Sequence, residues 1–140
     1  MKQVPFVGYE FEYAFQFTQA EVKRFAEVTG DFNPIHLDED YAAQTPFKKP
    51  IMHGFLSGSI LSKVFGTQYP GEGTIYMEQQ MNFRRPMFVE TKYAVKFKVL
   101  ECDSEKGSMY IECRILNEEG KVCLDGNARL MNKAVFNQAR

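Results

Sequence analysis

Tryptophan is missing, histidine occurs twice, cysteine three times, and no apolar run is long enough to cross a bilayer. Each scarcity excludes something. Cys102, Cys113 and Cys123 are odd in number, lack CxxC spacing and have no histidine close by in sequence, so neither a disulfide framework nor a zinc site is expected. Reduced thiols of that kind point to the cytoplasm. The first residues, MKQVPFVGYEFEY, contain no continuous apolar segment, so no signal peptide is expected. The least polar stretch, residues 51–67, is short and interrupted by Gly, Ser and Lys63, which argues against a membrane span. Charge of one sign is also lacking: 17 Lys and Arg stand against 18 Asp and Glu, for a formal net charge of -1. No bulk field draws the chain to nucleic acid or to a membrane surface. Repeats, low-complexity tracts and linkers are absent as well.

What is present is an ordinary globular composition, 44% hydrophobic and 25% charged over 140 residues. That length suits one domain, residues 1–140, with a real core. Phe11, Tyr13, Phe15 and Phe17 alternate, which predicts a strand or extended segment. Thr18-Gln19-Ala20-Glu21 fits a capping box and opens a helix. Val22, Phe25, Ala26 and Thr29 form its buried stripe, and Gly30 supplies a left-handed stop. Residues 31–50 carry Pro34, Pro46 and Pro50 and are expected to be irregular.

A second helix is predicted from His53 to Thr67, with Lys63 its only charge, so it should be buried on most sides. Gly54, Gly58, Ser62 and Gly66 recur every four residues and form a narrow face open to close backbone approach. Everything after Gly73 reads as strand. Alternating runs near 75–83, 93–100, 109–116 and 121–130 are separated in the later half by Lys106-Gly107 and Asn117-Glu118-Glu119-Gly120 turns. Short loops between period-two runs imply antiparallel neighbours with one buried face. The expected fold is α+β, one curved antiparallel sheet around the long central helix. Its free edges suggest a homodimer or higher homo-oligomer.

The chemistry is concentrated in Gly30-Asp31-Phe32-Asn33-Pro34-Ile35-His36-Leu37-Asp38. Asp31 and His36 are five residues apart. On a helix they would point about 140° apart, and on a strand they would face opposite sides. Only a turn brings them together, and Asn33-Pro34 promotes one. A carboxylate and an imidazole that meet can hold one water between them. The spacing does not match two metal ligands on one helix face. Alternatives stand beside this reading: an Asp after a helix-ending Gly often makes an Asx-turn, and a single loop His is often only solvated. In Pro50-Ile51-Met52-His53-Gly54, free amides at the helix start can bind an oxyanion, with Gly54 allowing close approach; Gly54 is otherwise a packing residue.

With these residues in view, the chain resembles the MaoC-like (R)-specific enoyl-CoA hydratases, single-hot-dog-domain enzymes. The resemblance rests on residues 18–21, on the D-x-N-P-x-H motif from Asp31 to His36, and on Pro50 to Gly54. It continues through Ile75-Tyr76 and Asn82-Phe83-Arg84-Arg85-Pro86, and spans about Phe17 to Met131. It implies a hot-dog fold in a dimer and reversible addition of water to a trans-2-enoyl-CoA, giving an (R)-3-hydroxyacyl-CoA in fatty-acid metabolism. Asp31 and His36 would be the catalytic pair and the Gly54 amide the oxyanion donor, with Ser62 supporting the site. No metal and no cofactor is implied. Phe32, Asn33, Leu56 and Met81 are candidate substrate contacts, and Arg84 and Arg85 candidate partners for the phosphates of coenzyme A. Rival readings are a dehydratase acting on acyl carrier protein, a thioesterase, and a non-catalytic hot-dog subunit that binds acyl thioesters.

Overall fold

The computed structural model describes residues 1–138. In chain order it contains β1 (Glu10–Phe15), α1 (Gln19–Thr29), α2 (Pro34–Leu37), α3 (Glu39–Ala43) and α4 (Gly54–Thr67). β2 (Ile75–Phe83), β3 (Tyr93–Asp103), β4 (Ser108–Leu116), β5 (Val122–Met131) and α5 (Lys133–Phe136) follow.

The five strands form one antiparallel sheet in the order β1-β3-β4-β5-β2. The two hairpins expected from turn chemistry, β3-β4 and β4-β5, are neighbours. The link from β2 to β3 is no hairpin. Residues 84–92 carry the chain from one edge of the sheet to its other half, and β2 pairs with β5 instead. Both edges are therefore non-consecutive strands, β1 on one side and β2 on the other.

Period-two patterning becomes a buried face on β3, β4 and β5. Val95, Phe97, Val99, Met109, Ile111, Cys113, Ile115, Leu124, Ala128 and Leu130 are all buried. Against them lies α4, whose Leu56, Ile60, Leu61, Val64 and Phe65 belong to the same core cluster. Each fully buried side chain of this kind contributes about 1.5–3 kcal/mol over leaving it in water. Phe97 is central: its ring stacks on Phe11 with centroids 4.6 Å apart and meets Phe65 at 5.1 Å. The arrangement is the expected α+β one, a sheet packed on a central helix.

Several elements differ from expectation in detail. The stripe of small residues on α4 receives side chains rather than a backbone. A Cβ on Gly54 would lie 2.8 Å from the Phe83 ring, and one on Gly58 would lie 2.9 Å from the Met81 sulfur. Farther along, Ser62 and Gly66 are exposed. Thr29 is exposed too, because its hydroxyl turns back onto the backbone of α1 instead of entering the core. Residues 31–50 contain two short helices, each started by a side-chain cap: Asn33 for α2 and Asp38 for α3. After β5 the chain closes in α5, capped by Asn132, rather than continuing as strand.

Candidate active site

The site begins where α1 stops. Its start is the predicted capping box, Thr18 with Glu21, and its end is Gly30 in the left-handed region at φ 80°. Immediately before, the Thr29 hydroxyl donates to the Phe25 carbonyl at 2.8 Å and accepts the Asp31 N–H at 3.2 Å. The Asp31 carboxylate in turn accepts the Asn33 N–H at 3.3 Å, an Asx-turn. Asn33 then caps α2 through the Ile35 N–H at 3.2 Å, and Pro34 occupies the first turn of α2, where a missing N–H costs nothing. Successive polar side chains thus fold the backbone back on itself between Asp31 and His36.

α2 carries His36 into a buried position. The His36 Nδ1 lies 2.8 Å from the Ile51 carbonyl. A carbonyl oxygen only accepts, so Nδ1 donates there and Nε2 keeps an open lone pair. Burial lowers the His36 pKa below its ordinary 6.5, the hydrogen bond to Ile51 and the Asp31 carboxylate push it back up, and His53 adds to the lowering. The net effect favours neutral imidazole, the form that accepts a proton. Asp31, by contrast, is exposed.

His53, at the N-cap of α4, ties the two together. The His53 Nε2 donates to the Asp31 backbone carbonyl at 3.0 Å, and the ring lies 3.9 Å from the His36 ring and 4.8 Å from Phe25, centroid to centroid. Donor atoms of Asp31, His36 and His53 all fall within 4.8 Å of one another. A cation could use such a set. The two imidazoles are tilted by 31° with centroids 3.9 Å apart, and each already commits one ring nitrogen to a backbone carbonyl, which leaves one nitrogen on each. The arrangement suits proton exchange with one small molecule better. His53 was passed over as a site residue in the sequence, although it stands in the His-Gly pair that marks the helix start.

One residue on, α4 begins without a side-chain cap, so its first-turn amides, Gly54 among them, are free of side-chain partners. Gly54 lines a cleft of about 400 Å³ together with Phe47, Ser57, Phe83, Arg84 and Arg85. The amide and the basic pair therefore share one opening, whereas Asp31 and His36 are not among its lining residues.

The remaining candidates are placed variously. Arg84 pairs with Asp125 at 3.1 Å, and Arg85 donates to the Val122 carbonyl at 2.6 Å. Asn33 spends its side-chain oxygen on capping α2, and Phe32 is exposed beside it. Leu56 is a core residue, and Met81 is half-buried against Gly58. Ser62 lies two turns along α4 from Gly54, is exposed, and its hydroxyl makes no hydrogen bond among the described residues. The three cysteines are free, and burial raises their thiol pKa values, that of Cys113 to about 12. Protonated thiols are poor nucleophiles. Among the described residues, no helix is long and apolar enough to cross a membrane.

One antiparallel sheet packed on a central helix is the hot-dog scaffold, and known proteins share it. Residues 3–119 match the family model described as MaoC like domain, and the chain belongs to that family. It is 37% identical over 122 residues to the (R)-specific enoyl-CoA hydratase of Aeromonas caviae, covering 87% of this chain and 91% of that one. Identity to the 3-hydroxybutyryl-CoA dehydratase of Methylorubrum extorquens is 40% over 113 residues, 81% of this chain and 71% of the relative. Among solved structures, the (R)-hydratase from A. caviae involved in PHA biosynthesis superposes with a TM-score of 0.87 at 35% identity, covering 93% of this chain and 98% of that one.

Proposed function

We propose that this protein is an (R)-specific enoyl-CoA hydratase, a hydro-lyase that reversibly adds water to a trans-2-enoyl thioester. The observation carrying the reading is the meeting of Asp31 and His36, five residues apart in sequence, one hydrogen bond away from the start of α4. Water held by the pair attacks C3. The pair takes one proton from that water and gives a proton to C2, so the product gains H and OH across the double bond. Electron density moves onto the thioester oxygen during the addition, and the Gly54 amide at the uncapped end of α4 stabilises it. The thioester is itself the electron sink, so the step balances without a cofactor. Arg84 and Arg85 sit on the same cleft as Gly54, where they can meet the phosphates of coenzyme A.

The protein works as a homodimer of one-domain chains, residues 1–140, in the cytoplasm. Support for the dimer comes from β2. This edge strand is largely exposed, with Ile75 at 58%, Met77 at 51% and Phe83 at 54%. An unpaired apolar edge is what a second sheet covers.

Crotonyl-CoA tests the activity. Loss of enoyl absorbance, formation of (R)-3-hydroxybutyryl-CoA and no release of free thiol are expected. Thiol release would instead mark a thioesterase, and saturable binding without turnover a non-catalytic module. A rate much higher on the crotonyl ester of acyl carrier protein would reassign the carrier.

A further inference from the structure

His53 takes no part in the water addition proposed above, yet it adjoins the residues that do. Its Nε2 donates to the carbonyl of Asp31, 22 residues away, and its ring lies 3.9 Å from that of His36. In sequence it directly precedes Gly54. The side chain is almost fully buried, at 2% exposure.

Packing does not account for an imidazole at this position. The His53 Nδ1 is buried and has no hydrogen-bond partner among the described residues. A buried polar atom left unpaired lowers stability, and an apolar side chain of similar size would avoid that loss. Phe25 and the His36 ring would accept such a side chain as a contact surface. Among the described residues, the single polar interaction the imidazole makes is the bond to the Asp31 carbonyl. Breaks of local consistency of this kind are expected at functional or strained sites.

Asp31 itself needs such an anchor. It lies in an exposed loop, and its other ties are two long hydrogen bonds, 3.2 Å from its N–H to Thr29 and 3.3 Å from the Asn33 N–H to its carboxylate. His53 fastens this loop to the start of α4 from the buried side. Its ring also covers one face of His36, whose plane is set at the far end by the 2.8 Å bond to the Ile51 carbonyl.

We propose that His53 is a positioning residue: through its bond to the Asp31 carbonyl and its contact with the His36 ring, it holds the pair in register with the Gly54 amide. This inference rests on the reading of Asp31 and His36 as the catalytic pair. Misplacing reacting groups by about 1 Å costs on the order of 10²-fold in rate without abolishing binding. The effect belongs in kcat.

The experiment measures kcat, KM and melting temperature with crotonyl-CoA for His53→Leu, His53→Gln and Asp31→Ala. His53→Leu is expected to lose about 10-fold or more in kcat with KM within about twofold and the fold intact. His53→Gln, whose side-chain amide can donate to the Asp31 carbonyl, is expected to recover most of that loss. A folded His53→Leu with native kcat overturns the inference, as does a folded His53→Gln as slow as the leucine variant. If His53→Leu does not fold, His53→Gln decides alone: near-native kcat supports the role, and a deep loss with the fold intact overturns it. Asp31→Ala separates the two levels. Should it remain active, the catalytic reading falls; should it be inactive while His53→Leu runs at the native rate, only the positioning role falls.

Discussion

The β3–β5 half of the molecule and the segment from Thr29 to Gly54 are held together by different forces. In the sheet, register follows from burial. Alternate residues of β3, β4 and β5 enter one core, and a slip of one residue would turn that whole set outward. From Thr29 to Gly54 little is buried beyond His36, Ala42, Met52 and His53. Local hydrogen bonds between side chains and backbone shape this segment: Thr29 with Phe25, Asp31 with Asn33, Asn33 with Ile35, Asp38 with Tyr41 and Thr45 with Ala42. The first region spends its side chains on stability. The second spends them on placing two titratable groups, and the cost of a substitution should divide accordingly.

The largest expected effect lies in the loop. Asp31→Ala and His36→Ala should each lower kcat by about 10²–10⁴-fold, the range of general acid–base assistance, while the melting temperature stays near native. Steady-state kinetics beside thermal unfolding checks both halves of that statement. Truncation in the sheet should do the reverse. Phe97→Ala removes a buried ring stacked on Phe11 and should cost about 3–5 kcal/mol in denaturant unfolding, with the remaining folded protein still turning over substrate.

Thr18→Ala lies between the two regions. It removes a hydroxyl that accepts the Glu21 N–H at 3.1 Å, and should cost about 1 kcal/mol by loss of the α1 cap. Because α1 delivers Gly30 and Asp31, a disproportionate fall in kcat there would show that the loop depends on the helix more than the comparison allows.

The smallest effect is one of pH. Burial lowers the His36 pKa, so the folded state prefers neutral imidazole. The associated stability is complete above the unfolded value of 6.5 and is lost as pH falls below it through the folded pKa. On the same grounds the acidic limb of kcat/KM should lie below 6.5, with its apparent pKa belonging to the Asp31–His36 pair as a unit. A limb above 6.5 would contradict the desolvated, proton-accepting His36.

Much of this was legible in the chain because it is local. The Thr18–Glu21 box, the Gly30 stop, α4 and the alternation of β3 to β5 depend on neighbours within a few residues, and each was read from them. α2 and α3 were legible in principle, through Asn33-Pro34 as cap and first turn and Asp38 as the next cap. Prolines in the segment read more strongly as irregular chain. The placement of β2 beside β5 was not legible, since it depends on pairing across more than forty residues. The role of His53 was hidden for the same reason: its partner carbonyl is 22 residues upstream, and periodicity carries no record of that bond. Motif resemblance located Asp31, His36 and Gly54. It included His53 within the Pro50–Gly54 match without giving it a role, and it did not reach Thr29; hydrogen bonds with both residues hold the Asp31 backbone.

The central claim is that Asp31 and His36 act on one water as a single device. Comparing kcat for Asp31→Ala, His36→Ala and the double variant on crotonyl-CoA tests it most directly. A shared device predicts that the double variant is about as slow as either single one, far short of the product of the two losses. Losses that multiply would mean that the two groups work independently, and would contradict the account.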